Sequence, residues 1–512
     1  MADEKHDLAV AEKQNTVASE LESSGISSPV AEYDDLPDPD VGKSDEERAR
    51  LDKALVRKID LWLIPWLSLL YLLSFLDRTN IGNARVAVPV KMETSLKMTG
   101  RDYNDALTIF FVSYAGAEPL TNIVLKRYSP RYFFTGIIIL WGAIMTVMGC
   151  VNNQAGLLAC RFFLGLAEAG LFPGVNYYLS CWYKRQELGA RAAIFFSAAA
   201  LAGSFGGLLA AAISNMHGVG KYAGWRWIFI LEGLATVFVG CFCYWMVFDF
   251  PDTAGFLTPD ERLRAQRRLR ADNQTRAEAE KISRQYVFQA VRDWKTWAFA
   301  VQYMGCLCAL YSFSLFLPTI MVGLGHKGNR AQLMSVPPYA AAAAMTVAVG
   351  LFADRTKLRG YSNMAVALMG CVGFAMLLGS HNPHVQYAGT FLGAMGIYPT
   401  VPNTLTWASN NVEGSLKRGV MVGIVVGWGN LNGVVSSNIY ISKDGPRYLP
   451  GHGIVFSYMF LFLFGGSVVT HFLLERENKL RRSGQRDHWV EGKTEQEIRD
   501  LGDLRPDFIY TT

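Results

Sequence analysis

Leu61-Trp-Leu-Ile-Pro-Trp-Leu-Ser-Leu-Leu-Tyr-Leu-Leu-Ser-Phe-Leu76, followed by Asp77-Arg78-Thr79-Asn80, sets the reading of the whole chain. A run of about 20 mostly apolar residues is what a helix needs to cross a bilayer, and such runs recur along this sequence. Twelve can be read, centred near Leu69, Tyr114, Trp141, Gly165, Ala200, Val237, Leu310, Met345, Gly370, Gly396, Val426 and Phe460. Composition agrees: 51% of the 512 residues are hydrophobic and only 18% are charged, with the charge gathered at both ends and in one central stretch.

That central stretch, 249–293, separates the sixth run from the seventh. It contains the Arg-rich segment Glu261–Arg270, expected to form an amphipathic helix on the membrane surface. The expected fold class is therefore an all-α membrane protein with twelve transmembrane helices in two six-helix halves. Residues 1–52 read as a disordered acidic tail, 53–248 as the first half, 249–293 as a linker, 294–475 as the second half and 476–512 as a C-terminal tail. Two halves of this kind suggest a transporter with its site at the interface between them.

Lys and Arg set the expected orientation. They cluster at Lys53, Arg57 and Lys58, at Lys126, Arg127 and Arg131, and at Lys184, Arg185 and Arg191; they recur across the linker, at Arg355, Lys357 and Arg359, at Lys417 and Arg418, and from Arg476 to Arg482. By the positive-inside rule both termini are cytoplasmic. The Asn273-Gln274-Thr275 sequon would then stay unglycosylated.

Other chemistries find little support. The eight cysteines lie in or beside apolar runs without His or Cys partners at ligand spacing, and read as packing thiols. No metal site, no cofactor and no phosphate-binding loop is expected. A net charge of +5, mostly flanking apolar segments, argues against a nucleic-acid partner. No nucleophile–base set of an enzyme can be assembled.

After the eighth run comes Gly350-Leu-Phe-Ala-Asp354-Arg355-Thr-Lys-Leu-Arg359-Gly360. Asn122, Lys126, Arg127 and Arg131 stand at the same offsets after the second. Short loops with Arg at fixed spacing can bond helix ends in one conformation and release them in another, so Asp354, Arg355, Arg359, Arg127 and Arg131 are expected to form a conformational latch.

This loop resembles the loop motif of the major facilitator superfamily. Leu69–Asn83, Arg161-Phe-Phe-Leu-Gly165-Leu-Ala-Glu168-Ala-Gly170-Leu-Phe-Pro173-Gly174 and Gly224-Trp-Arg-Trp-Ile-Phe-Ile-Leu-Glu232-Gly233 resemble its anion:cation symporter family. The tail from Gly492 through Phe508 is similar to that of the fungal allantoate-permease branch, which includes nicotinate, pantothenate, allantoate and biotin transporters. Where that branch has Glu-x-Pro-Ser-Asn in the second helix, this chain has Glu118-Pro119-Leu120-Thr121-Asn122.

Charges in mid-membrane cost about 2.5 to 3.5 kcal/mol each on insertion scales, so they must pair, face water or work. Arg161 and Glu168 lie two helical turns apart on one face, about 10 Å, too far to pair directly. Asp77 and Arg78 can supply their partners from a neighbouring helix. Arg78 and Arg161 are expected to bind a substrate carboxylate, because guanidinium offers a permanent charge and a bidentate fork. Asp77 and Glu168 are expected to carry the coupling protons, as the resemblance also implies. Tyr114 and Asn430 are further candidates for substrate contact. Trp407, Asn410 and Asn411 divide between contact and packing, and Gly203, Gly206 and Gly207 are read as close helix contacts. The fifth run lacks the Gly-Pro pair usual in drug antiporters, which favours symport.

The expected function is import of a small organic anion with protons by alternating access. The expected partners are that substrate, protons and the lipid bilayer, with the chain acting as a monomer in the plasma membrane. Export of an acidic secondary metabolite and nutrient sensing without transport are the alternatives.

Overall fold

The computed structural model describes residues 36–99, 101–184, 187–271, 284–413, 415–494, 498 and 501–512. Residues 1–35 of the expected tail and the sequon at 273–275 lie outside the described residues. The elements are helices throughout, and no strand occurs among the described residues.

Ten helical stretches among the described residues are long and apolar enough to cross a membrane. The second span, Asp102–Arg127, and the tenth, Pro383–Ile397 continued by Thr400–Asn410, complete twelve. Both are less apolar or less regular for identifiable reasons. The second carries Asp102, Asp105 and Glu118. The tenth breaks at Tyr398-Pro399, where proline cannot donate to the preceding turn.

The first span, Asp45–Val86, has 42 residues, a length of about 63 Å at about 1.5 Å per residue. A hydrocarbon core of about 30 Å takes only half of that. The helix therefore begins well outside the membrane, inside the segment read from sequence as tail. A capping box explains the start: Ser44 accepts from the Glu47 amide, and the Glu47 side chain accepts from the Ser44 amide. Its other end also differs from expectation. The apolar run stops at Leu76, but the helix continues to Val86 with every residue from Ser74 onward buried.

The Arg-rich segment forms the helix Pro259–Ala271. Its Arg264, Arg267 and Arg268 are paired with acidic side chains of the protein itself. Arg264 pairs with Asp40 at 2.5 Å, Arg268 with Glu187 at 2.5 Å and with Asp52 at 3.3 Å, and Glu261 receives Lys58 at 2.7 Å. This helix thus fastens the start of the first span to the loop before the fifth.

Helix pairing repeats after six spans. The first packs on the fifth as the seventh, Trp294–Gly323, packs on the eleventh, Ser415–Ile439. The second packs on the fourth, Gln154–Ser180, as the eighth, Asn329–Thr356, packs on the tenth; the third, Pro130–Met148, packs on the sixth, Gly224–Met246. Between the halves, the second span meets the eleventh, and the fifth, Leu188–Ile213, meets the eighth. Advancing six spans turns each of these cross-pairs into the other, which is the contact pattern of twofold construction. The fifth–eighth contact depends on small residues, as expected. A methyl group on Gly203 would sit 2.6 Å from the Tyr339 ring, and one on Gly207 2.7 Å from the Gln332 carbonyl oxygen. Near the terminal face, Gly189 lies against Asp354 and Arg359, and Gly350 against Ala193.

The C-terminal segment folds back on the second half. Asp503, fully buried, receives Lys417 at 2.8 Å and also pairs with Lys295. Arg481 donates to the carbonyls of Asp503, Arg505 and Phe508, and Thr511 exchanges bonds with Trp407 and Asn411. Trp407 and Asn411 therefore hold the tail. Burial pushes the Asp503 carboxyl up, but the Lys295 and Lys417 charges outweigh it and hold it below the usual carboxylate range. A depressed carboxylate stabilises the docked tail above its unfolded pKa, and that support is lost as pH falls through the lower folded value. Asp503→Asn is expected to destabilise the protein by about 3 to 5 kcal/mol, because it leaves the buried Lys295 and Lys417 ammonium groups to share the Asp293 carboxylate alone. Chymotrypsin should then cut after Phe508 at neutral pH; a tail as protected as in the native protein would contradict this assignment.

Candidate functional site

Because the first helix runs on past its apolar stretch, Asp77 and Arg78 lie within the span and not at its edge. Arg78 points into the interface between the halves. Its Nη2 and Nε donate to Glu168 Oε1 at 2.7 and 3.1 Å, and Ser74 Oγ donates to the same oxygen at 2.5 Å. The pair is almost fully buried, with 6% and 1% of the two side chains exposed. Four rings surround the guanidinium: Tyr114 at 4.8 Å, Phe110 at 5.4 Å, Tyr311 at 5.8 Å and Phe75 at 6.0 Å. A desolvated cation gains from such faces, so the cage compensates part of its lost hydration.

From Arg78 a chain of hydrogen bonds crosses into the second half. Arg78 Nη1 donates to Tyr311 Oη at 3.3 Å, and Tyr311 donates to Asn430 Oδ1 at 2.8 Å. Asn430 Nδ2 in turn donates to Glu118 Oε2 at 2.9 Å, returning to the first half. Tyr114 and Asn430, the further candidates for substrate contact, thus sit beside Arg78. Tyr311 and Ser74 were missed as site residues, and Glu118 was carried only weakly, on the resemblance. Glu118 had a legible signal, a carboxylate within a span; Tyr311 had none, since a tyrosine in an apolar helix reads as packing.

Beside this chain is a cavity of about 10 Å³, room for about one water molecule, bordered by Arg78, Asn430 and seven aromatic residues. The site is closed. Hydrogen bonds tie the halves together from the site toward the face opposite the termini: Asn104 to the Ser437 carbonyl at 2.5 Å, Asn438 to Thr108 at 2.9 Å, Gln332 to the Asn83 carbonyl at 3.2 Å and Arg85 to Ser442 at 2.8 Å. The polar stretch Trp428–Asn438 mostly serves these ties and its own helix, with Asn430 turned to the site.

Arg161 and Asp77 are not paired with each other. Arg161 is 1% exposed, donates weakly to the Arg78 carbonyl at 3.5 Å, and makes no ion pair among the described residues. Its Nε and Nη2 have no hydrogen-bond partner there. Asp77 instead accepts from Trp141 Nε1 at 3.0 Å and Thr236 Oγ1 at 2.8 Å. Of the latch residues, Asp354 pairs with Arg359, which also donates to Asn403 at 3.3 Å. Arg131 donates to the Val247 carbonyl at the end of the sixth span at 3.3 Å, and Arg355 is exposed. The Arg127 side chain lies outside the described residues.

A twelve-span bundle with a polar site enclosed between two repeated halves defines a membrane transporter. Comparison with known proteins agrees. The family model "Major Facilitator Superfamily" matches residues 67–437, and the chain belongs to that superfamily. An MFS-type transporter, cnsO, of Penicillium expansum is 35% identical over 90% of both chains. A high-affinity nicotinic acid transporter of Saccharomyces cerevisiae is 34% identical over 94% of this chain and 88% of its own. Among solved structures, a bacterial homologue of the human lysosomal transporter Spinster, in an inward-facing and occupied conformation, shares the fold. Its TM-score is 0.57 at 14% identity, over 81% of this chain and 96% of that one. The chain is thus an integral membrane protein that moves a small molecule, and its relatives are transporters and not enzymes.

Because the Arg78–Glu168 pair is buried, removing one partner strands the other charge. Arg78→Met is expected to cost about 3 to 5 kcal/mol, and Arg78→Met with Glu168→Gln to recover most of that loss. Thermal unfolding in detergent would decide it: a double variant no more stable than the single one would show that the pair is not the controlling contact.

Proposed function

We propose that the chain imports a small organic carboxylate together with protons, as a member of the anion:cation symporter family. The observation that carries this reading is the Arg78–Glu168 pair, bordering an aromatic cavity between the halves. Arg78 already holds a carboxylate, so its geometry suits another. When Glu168 takes up a proton it releases the guanidinium, and the substrate carboxylate takes its place. The exchange keeps the buried charge constant: one anion enters with one proton. With the cavity as small as it is, substrate entry requires the halves to separate, in keeping with alternating access.

Seven aromatic residues on the cavity wall favour a flat or partly apolar acid. Similarity to a protein named as a nicotinic acid transporter supports the same substrate class. Arg161, buried with two nitrogens that have no partner among the described residues, is the reserve cation that a carboxylate or Asp77 meets once the helices shift. Asp354, Arg359 and Arg131 brace the helix ends on the terminal face, where a latch would act. We place both termini in the cytoplasm, the chain in the plasma membrane, and the working unit at one copy, since one chain supplies both halves.

Uptake of labelled carboxylates by yeast expressing the chain tests the reading. Saturable uptake, stimulated by external acid and abolished by a protonophore, is expected. Glu168→Gln should still exchange substrate across the membrane but lose accumulation against a gradient. Accumulation by Glu168→Gln at the native level would remove the proton from Glu168.

A further inference from the structure

The first and sixth spans present matching polar pairs inside the first half, away from the aromatic cavity. Asp77 and Asn80 lie three residues apart on one helix, and Glu232 and Thr236 four apart on the other, so each pair shares a helix face. The faces are in contact: Thr236 Oγ1 donates to Asp77 Oδ2 at 2.8 Å, and Asn80 Nδ2 donates to Glu232 Oε2. Trp141 of the third span covers Asp77. Asp77, Asn80 and Thr236 are 0% exposed and Glu232 is 4% exposed.

Three oxygens in this cluster have no hydrogen-bond partner among the described residues: Asp77 Oδ1, Asn80 Oδ1 and Glu232 Oε1. Neither carboxylate has a cation within ion-pair distance there: Arg78 is taken by Glu168, and the Arg161 guanidinium and Glu168 carboxylate of the fourth span act on Asp77 only from longer range. The Asn80 amide adds a second, uncharged oxygen donor, held in the cluster by its bond to Glu232. From the elements packed against the sixth span, the titratable group that meets Glu232 is Asp77. The third and fifth spans carry their charges, Arg131 and Arg191, only near their starts.

We propose that Asp77, Asn80, Glu232 and Thr236 form a binding site for one monovalent cation, a proton or a sodium ion, separate from the Arg78 site. Both occupants satisfy the same need for positive charge. A proton on Glu232 turns its acceptor oxygen into a donor, and Asn80 can rotate its amide to offer Oδ1. Sodium would take oxygens from two carboxylates, an amide and a hydroxyl, a set of hard ligands. Asp77 and Arg78 are adjacent on one helix, so the occupant acts directly on the element that presents the substrate cation. The inference rests on the ion-coupled reading above, but its test needs no substrate.

The full chain in lipid nanodiscs would be unfolded thermally in sodium chloride and in potassium chloride at equal ionic strength. In parallel, infrared difference spectra of the native chain minus those of Glu232→Gln would isolate the Glu232 carboxylic-acid C=O band during acid titration from the bands of the other carboxyl groups, Glu168 included. Sodium-specific stabilisation identifies sodium as the occupant; a titrating band without it identifies the proton. In the sodium case Glu232→Gln should abolish the sodium-specific stabilisation, and in either case Thr236→Val should weaken cation binding about 10-fold or more. If Glu232→Gln does not fold, Asn80→Ala and Thr236→Val carry the test. Absence of both signals in the native chain, or signals that survive these variants, overturns the site. Uptake insensitive to a protonophore would instead overturn proton symport and leave this result readable by itself.

Discussion

A guanidinium in the middle of a bilayer is the constraint around which this bundle is arranged. Arg78 cannot shed its charge, so the structure surrounds it with a carboxylate, a hydroxyl and four aromatic faces. Those partners come from the first, second, fourth and seventh spans, which places the cation at the seam between the halves. Exact pairing there also explains why the cavity is so small: with Glu168 in place, no other anion is needed.

The seam is shaped by the absence of side chains as much as by their presence. Gly189, Gly203, Gly207 and Gly350 let the fifth and eighth spans approach closely along most of their length. In lipid, where apolar surfaces gain little from meeting one another, such close backbone contact supplies much of the association. Contacts of this kind separate without exposing polar groups, unlike the hydrogen bonds between the second and eleventh spans. The two cross-pairs are related by the repeat but weighted differently: the fifth–eighth contact rests mainly on packing, with Ser204 Oγ donating to the Val336 carbonyl at 3.1 Å, and the second–eleventh contact carries more polar ties beside the packing of Gly433 on Phe111.

Much of this was legible in the sequence. Runs of apolar residues announced the spans, and Asp77, Arg78, Arg161 and Glu168 stood out because charge is rare in such runs. What could not be read was which acid meets which base. Asp77 and Arg161 face different neighbours because helix rotation is set by packing across four spans, not by spacing along one. Tyr311 was hidden for a similar reason, since its hydroxyl matters only through Arg78 and Asn430. The docked tail was hidden for another: Asp503, Arg481 and Lys417 have the composition of a solvated segment, and only their convergence on Lys295 and Tyr510 buries them. The start of the first helix was misplaced because acidic residues read as disorder until the Ser44–Glu47 capping box is recognised.

The distribution of charge connects these features to ion coupling. Asp77, Glu118, Glu168 and Glu232 are buried among the helices of the first half, where the cations at the same depth are Arg78 and Arg161. With every group ionised, the carboxylates exceed the guanidiniums, and a low-dielectric interior does not tolerate such an excess. On the proposed ion-coupled reading, positive charge enters with the anion or resides there before it. Among the described residues the second half carries no comparable set: its buried ions, Lys295, Lys417, Arg481, Asp503 and Arg359, belong to the tail, the helix ends it docks on and the loop at the terminal face. The halves therefore share a scaffold but divide the work. The first half holds the charges, and the second contributes Tyr311 and Asn430, neutral groups that read the state of Arg78 on one side and of Glu118 on the other. On the proposed reading, protonation or substrate binding in the first half changes what these two groups can bond to, which would make the seam the part of the molecule that senses occupancy.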